Sequence, residues 1–233
     1  MKLKILQFIR NLNRKLGNPA KTILFRYLRI YLRHYFFVKP NLLSQLKLKS
    51  QINVSNKLGE NRKKILIPMI ESSHYQFYHL LGLSKALQLR GADVKVLICD
   101  SFLNGCELKS VTTSKVDPCF NCRFNREKTL PLYNLDFIKL SEYISNEEIE
   151  TIRANSKKLA KKIPKEMIYK EIDIIPMINE SVTRYFYGGT SNHNREVVMP
   201  VIASHIESAM IGVSVATKIF SDWKPDIVFS NMS

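Results

Sequence analysis

Acidic side chains are almost missing from the first 64 residues, which hold one, Glu60, against 16 of the chain's 36 lysines and arginines, a local net charge of +15. The remaining residues carry 20 basic and 19 acidic groups, so the total of +16 lies almost wholly at one end. A nucleic-acid-binding domain would spread its basic charge over its own folded face, and no nucleic-acid partner is expected. Long apolar runs are also lacking: no stretch reaches the ~20 uninterrupted apolar residues that span a bilayer. The apolar run from Leu3 is broken by Lys4, Gln7, Arg10 and Asn11, which does not suit a secretory leader. Cysteine is missing outside one window of 24 positions, which holds Cys99, Cys106, Cys119 and Cys122. The expectation is an intracellular chain with reduced thiols.

What is present divides into an arm and a body. In the arm, residues 1–60, Leu3, Leu6, Ile9, Leu12 and Leu16 recur at helical steps up to the break at Gly17-Asn-Pro19. A second stripe, with Leu24, Tyr27, Leu28, Tyr31 and Tyr35, runs beside Lys21, Arg26, Arg29 and Arg33 and stops before Pro40. Basic amphipathic helices rich in aromatics lie in membrane interfaces, apolar face down and cations toward anionic headgroups. Each cation near such a surface adds roughly 1 kcal/mol, enough in a cluster for reversible attachment. The partner expected for the arm is therefore an anionic membrane surface, with simple packing on the body and, last, nucleic-acid binding as the other readings. Residues 41–60 read as a linker.

The body, residues 61–233, is 45% hydrophobic and 24% charged when taken with the arm, ordinary globular material. Its clearest stretch runs from Lys63 to Asp100: an apolar strand through Ile70, the polar loop Glu71-Ser-Ser-His74-Tyr75, a helix ended by Gly91, and a second apolar strand. This is a βαβ crossover, and ligands of parallel sheets sit outside the carboxyl ends of the strands. The predicted class is α/β with a Rossmann-like parallel sheet, preceded by basic amphipathic helices. Downstream, Ser101–Thr129 is too long for a simple connection and reads as functional or locally stapled. Ser145 caps a helix running to Lys162, Ile172-Asp-Ile-Ile-Pro-Met-Ile is a strand or a helix edge, Val197–Phe220 is a broad-faced helix, and Asp226–Ser230 is a buried strand.

Cys119-Phe-Asn-Cys122 can turn both sulfurs toward one ion, with Cys106 as third ligand and Cys99 or a histidine as fourth. A structural zinc or an iron–sulfur cluster at Cys106, Cys119 and Cys122 is one expectation; a redox pair and unligated thiols are the others.

The order of several short segments resembles the N-terminal half of GT-B glycosyltransferases of capsule and surface-polysaccharide biosynthesis. The segments are the strand, the loop with His74, the helix and Arg90-Gly91-Ala-Asp-Val. Ile98-Cys-Asp100, Cys106-Glu-Leu, Cys119-Phe-Asn-Cys122 and Leu135–Tyr143 follow, and later Arg184-Tyr-Phe and Trp223-Lys-Pro-Asp226-Ile-Val. The resemblance covers about residues 63–233. It implies a single GT-B-type lobe that holds a glycan or lipid-linked acceptor, with no donor domain after Ser233. A nucleotide sugar would be held by a separate donor-domain partner chain. A lipid-linked acceptor implies a peripheral location on the cytoplasmic membrane face. By position, the implied acceptor contacts are Ser72, Ser73 and Tyr75 in the first loop and Arg184, Gly188 and Gly189 later. His74 or Glu71 would be the catalytic base, since an imidazole titrates near the operating pH. The plainer readings stay open: a hydrogen-bonded loop histidine, a helix N-terminal acid, an arginine paired with a surface acid, and glycines in a turn. The non-enzymatic alternative is a Rossmann-like binding subunit that recruits a donor-binding partner.

Overall fold

The computed structural model describes residues 62–70, 75–106, 108, 118–161, 165–191 and 193–230. The basic arm and its expected helices lie outside the described residues.

The sequence Lys-Ile-Leu-Ile-Pro-Met forms strand β1 (Lys64–Met69), and Asp-Val-Lys-Val-Leu-Ile forms β2 (Asp93–Ile98). They pair in parallel from Lys64 opposite Asp93 to Met69 opposite Ile98. Helix α1 (Tyr75–Leu89) connects them and is closed by Gly91 at φ 93°. Gly91 N–H donates to the Gln88 carbonyl at 3.0 Å and Ala92 N–H to that of Leu87 at 3.1 Å, a Schellman closure that needs the left-handed glycine. Next come α2 (Pro118–Tyr133), β3 (Asp136–Lys139), a 3-10 turn (Leu140–Tyr143) and α3 (Asn146–Ala160). Ser145 Oγ accepts from Glu148 N–H at 3.2 Å and starts α3, as its capping pattern predicts. The hairpin β4 (Ile168–Tyr169) and β5 (Ile172–Asp173) leads to α4 (Ile175–Tyr185), α5 (Arg195–Asp222) and β6 (Ile227–Val228).

The main sheet has the order β3-β2-β1-β6 and every pairing in it is parallel. The fold is therefore α/β with a Rossmann-like sheet. Alternation along the strands buries two layers. Ile65, Ile67 and Met69 of β1 join Val94, Val96 and Ile98 of β2 under Phe77 and Leu81 of α1 and Leu130 of α2. Leu66 and Leu97 face the other way, into a core with Ile152 of α3, Ile178 of α4 and Ile206, Met210 and Ile219 of α5. A strand covered on both faces reads as one apolar run, and that made β1 and β2 legible.

Four readings change or gain detail. The segment 101–129, expected to be more than a simple connection, holds helix α2 over most of its second half. The run from Ile172 divides at Ile174 into strand and helix, with Pro176 in the first turn of α4, where its missing N–H costs nothing. The last strand is not buried: β6 is a sheet edge with Ile227 48% and Val228 43% exposed. It is held by Lys64 N–H to Asp226 Oδ2 at 2.7 Å and Phe229 N–H to the Leu66 carbonyl at 2.9 Å. Finally, α5 is long and apolar enough by length and composition to cross a bilayer, although no uninterrupted run suggested it. Eleven of its residues are buried, eight of them in the hydrophobic core, including Ile206 and Ile219, and the helix packs as the spine of this layer.

Candidate functional site

Strands β1 and β2 deliver Ile70, Cys99 and Ser101 to the carboxyl edge of the sheet, the side where parallel sheets hold their ligands. A cavity of about 370 Å³ opens there. One wall is α2, whose Cys119, Cys122 and Arg126 stand three and four residues apart and so share a helix face. The opposite wall combines Ile178, Ser181 and Arg184 of α4 with His205, Ser208 and Ala209 of α5. The loop after β2 supplies Leu103, Gly105 and Cys106.

That loop is fastened to α5 by contacts that only particular residues permit. Gly105 N–H donates to Ser208 Oγ at 2.8 Å. A Cβ at Gly105 would stand 2.5 Å from the Ser204 carbonyl oxygen and 2.7 Å from His205 Cα, so no other residue fits without moving backbone. Asn104 Nδ2 donates to Glu207 Oε1 at 3.0 Å, and Arg153 Nε of α3 donates to the same oxygen at 3.1 Å. Glu207 is buried, and this shared ion pair and hydrogen bond compensate its charge.

The electrostatics are lopsided. Two arginines, one histidine and three serines line the cavity, and no acidic residue is among its described lining residues. Arg126 is buried, and its Nη2 donates to Ser101 Oγ at 3.3 Å. Arg184 is 41% exposed in its side chain and forms an i,i+4 ion pair with Glu180 at 2.6 Å. His205 is 5% exposed, its Nε2 has no hydrogen-bond partner among the described residues, and the Tyr185 ring stands edge-on to it at 5.8 Å. Burial lowers its pKa below the usual histidine value, so at neutral pH the imidazole is neutral. Burial likewise pushes the Cys106 thiol up to about 11, with the neighbouring thiols adding to the rise. Cys106 is therefore a protonated thiol at neutral pH and a poor nucleophile.

Of the residues expected from sequence, Arg184, Cys106, Cys119 and Cys122 all reach this cavity, and Cys99 joins them. Glu71, Ser72, Ser73 and His74 lie outside the described residues. Tyr75 is the first residue of α1, and its side chain lies outside the description. Gly188 and Gly189 form the turn after α4 at φ 123° and 134°, a conformation that favours glycine, and are not among the lining residues.

The metal expectation is overturned. Among the described residues, no group of three or more His, Cys, Asp or Glu side chains is placed to hold one ion. Cys119 and Cys122 lie on a helix, not in a knuckle-like turn, which leaves their Cβ atoms about 5–6 Å apart. None of the four cysteines is in a disulfide, and Cys106, Cys119 and Cys122 line a cavity wall; among the described residues they do not assemble a zinc or iron–sulfur site. The nucleotide-sugar donor, expected on a separate donor-binding domain, likewise finds no support among the described residues.

Arg126 and His205 were missed. Arg126 continues the 3–4 spacing of Cys119 and Cys122, a pattern hidden by the polar character of α2. His205 interrupts the apolar stripe Ile202, Ile206, Met210, and a titratable residue on such a stripe was the available signal. Compared with known proteins, the chain matches no family model, and no curated protein is significantly similar to it.

Proposed function

We propose that residues 61–233 are the acceptor-side lobe of a GT-B-type glycosyltransferase, working on a surface-polysaccharide or lipid-linked glycan precursor at the cytoplasmic membrane face. A donor-binding half on a partner chain completes it. The observation that carries this reading is the cavity of about 370 Å³ at the carboxyl edge of a four-stranded parallel sheet, a size and position suited to a small-molecule group. Arg184 at the cavity supports it by offering a cation to the phosphates of a lipid-linked acceptor. The basic arm supports the membrane location, because an enzyme acting on a lipid-linked acceptor has to sit on the bilayer.

The test is transfer of label from a panel of radiolabelled activated sugars to a polyprenyl-diphosphate-linked acceptor. Membranes from cells that carry the chain are compared with membranes from cells in which it is deleted. Chain-dependent labelling is expected, with no labelling by the purified chain alone; equal labelling in both membranes overturns the reading. One observation favours a second reading. With no carboxylate among the described lining residues, a non-catalytic subunit that recruits a donor-binding partner fits the same lobe. It predicts that substitution of His74 and Glu71 together leaves chain-dependent labelling unchanged.

A further inference from the structure

Arg126 and Arg184 both face the cavity, but only Arg184 has a carboxylate partner among the described residues. Arg126 is 6% exposed and makes one described hydrogen bond, to the neutral Ser101 hydroxyl. A buried guanidinium with no counter-charge among the described residues is costly, and its planar fork of N–H donors suits an anion. A second and independent sign comes from α5: His205 is 95% buried, its Nε2 has no partner among the described residues, and the residue lines the same cavity. Ser101, Ser181 and Ser208 add hydroxyls to the lining. Guanidinium, hydroxyls and imidazole offer more hydrogen bonds than the two oxygens of a carboxylate can use, and suit the three oxygens of a phosphate group.

We propose that this cavity is a phosphate-binding site, in which the Arg126 guanidinium neutralises a phosphate carried by the ligand while Ser101 Oγ and His205 Nε2 complete its hydrogen bonds. The inference shares its cavity with the acceptor-lobe reading, which places an acceptor phosphate at Arg184, and extends it to Arg126, Ser101 and His205, residues that reading leaves unused. The phosphate arrives on a soluble sugar phosphate or on a lipid.

The test titrates the full chain with glucose 1-phosphate and, separately, with dioctanoyl phosphatidic acid below its micelle concentration, so that the basic arm meets no membrane surface. Affinity is read by calorimetry, and the His205 imidazole by nitrogen NMR. Saturable binding of at least one probe is expected, with a shift of the His205 Nε2 resonance, and the probe that binds identifies the source of the phosphate. Arg126→Met should weaken that binding by about tenfold or more, the loss of a charge-assisted hydrogen bond. Arg126→Lys, which keeps the charge should Arg126→Met fail to fold, should weaken it less but measurably, because an ammonium lacks the planar fork. No saturable binding by either probe, an unmoved His205 resonance, or undiminished affinity in folded Arg126→Met and Arg126→Lys would overturn the proposal. None of these outcomes bears on the transfer assay, so failure here and failure of the acceptor-lobe reading are separable.

Discussion

Two arginines face one cavity from opposite walls, and their surroundings are opposite. Arg184 on α4 is 41% exposed and shares its charge with Glu180 one helical turn away. Arg126 on α2 is 6% exposed and has only the Ser101 hydroxyl among described groups. A solvated i,i+4 pair is ordinary surface chemistry, worth little to stability and little hindrance to other contacts. A desolvated cation without a counter-charge works against stability and persists where something outside the chain completes it. The contrast separates a residue that belongs to its helix from one that belongs to the cavity.

The seam joining the two walls is the loop at Gly105, and breaking it has the largest expected effect. Gly105→Ala forces a methyl group into the Ser204 and His205 backbone and should cost about 3 kcal/mol, read by chemical denaturation. Replacing the buried cation should move stability the other way. Arg126→Met is expected to raise it by about 2 kcal/mol in the absence of any phosphate ligand, whereas a fall would mark Arg126 as a structural group.

Behind the α4–α5 wall, Glu148 of α3 ties Lys218 of α5 at 2.7 Å and Lys170 beside the small hairpin at 3.1 Å. Its pKa is lowered to about 2, first by the Lys218 hydrogen bond and then by Ser214 and Lys170, against the opposing effect of burial. A depressed carboxylate contributes its stability above the ordinary value of 4.5 and loses it as pH falls toward 2. Glu148→Gln should therefore cost about 1 kcal/mol at pH 7. The gap from wild type should close as pH falls from 5 toward 2, followed by thermal unfolding across that range. The smallest effect completes the comparison: Arg184→Gln should change stability by less than about 0.5 kcal/mol.

Legibility followed the burial of both strand faces. The unit from Lys63 to Asp100 was readable because Ile65, Ile67, Val94 and Val96 sit between two packed layers, and Gly91 marks where α1 ends. The last strand misled for a related reason: Ile227, Val228 and Phe229 form the same kind of apolar run, yet they lie on a sheet edge and are exposed. Side-chain type cannot distinguish an edge from a centre, because strand order is set by pairings distant in sequence. The cysteines show the limit at the site. Their spacing was visible, but an i,i+3 pair has one geometry on a helix and another in a turn, and the spacing alone does not choose.

By itself the sequence determined the charge asymmetry, the α/β class, the βαβ unit and the helix cap at Ser145, since each follows from local composition, periodicity or capping chemistry. Only the tertiary structure decided that Arg126 of α2 and His205 of α5, 79 positions apart, line one cavity with the four thiols. The reason is that the sheet keeps the helices on its two faces apart, here they meet beyond its carboxyl edge, and which side chains meet there depends on the register of the strands between them.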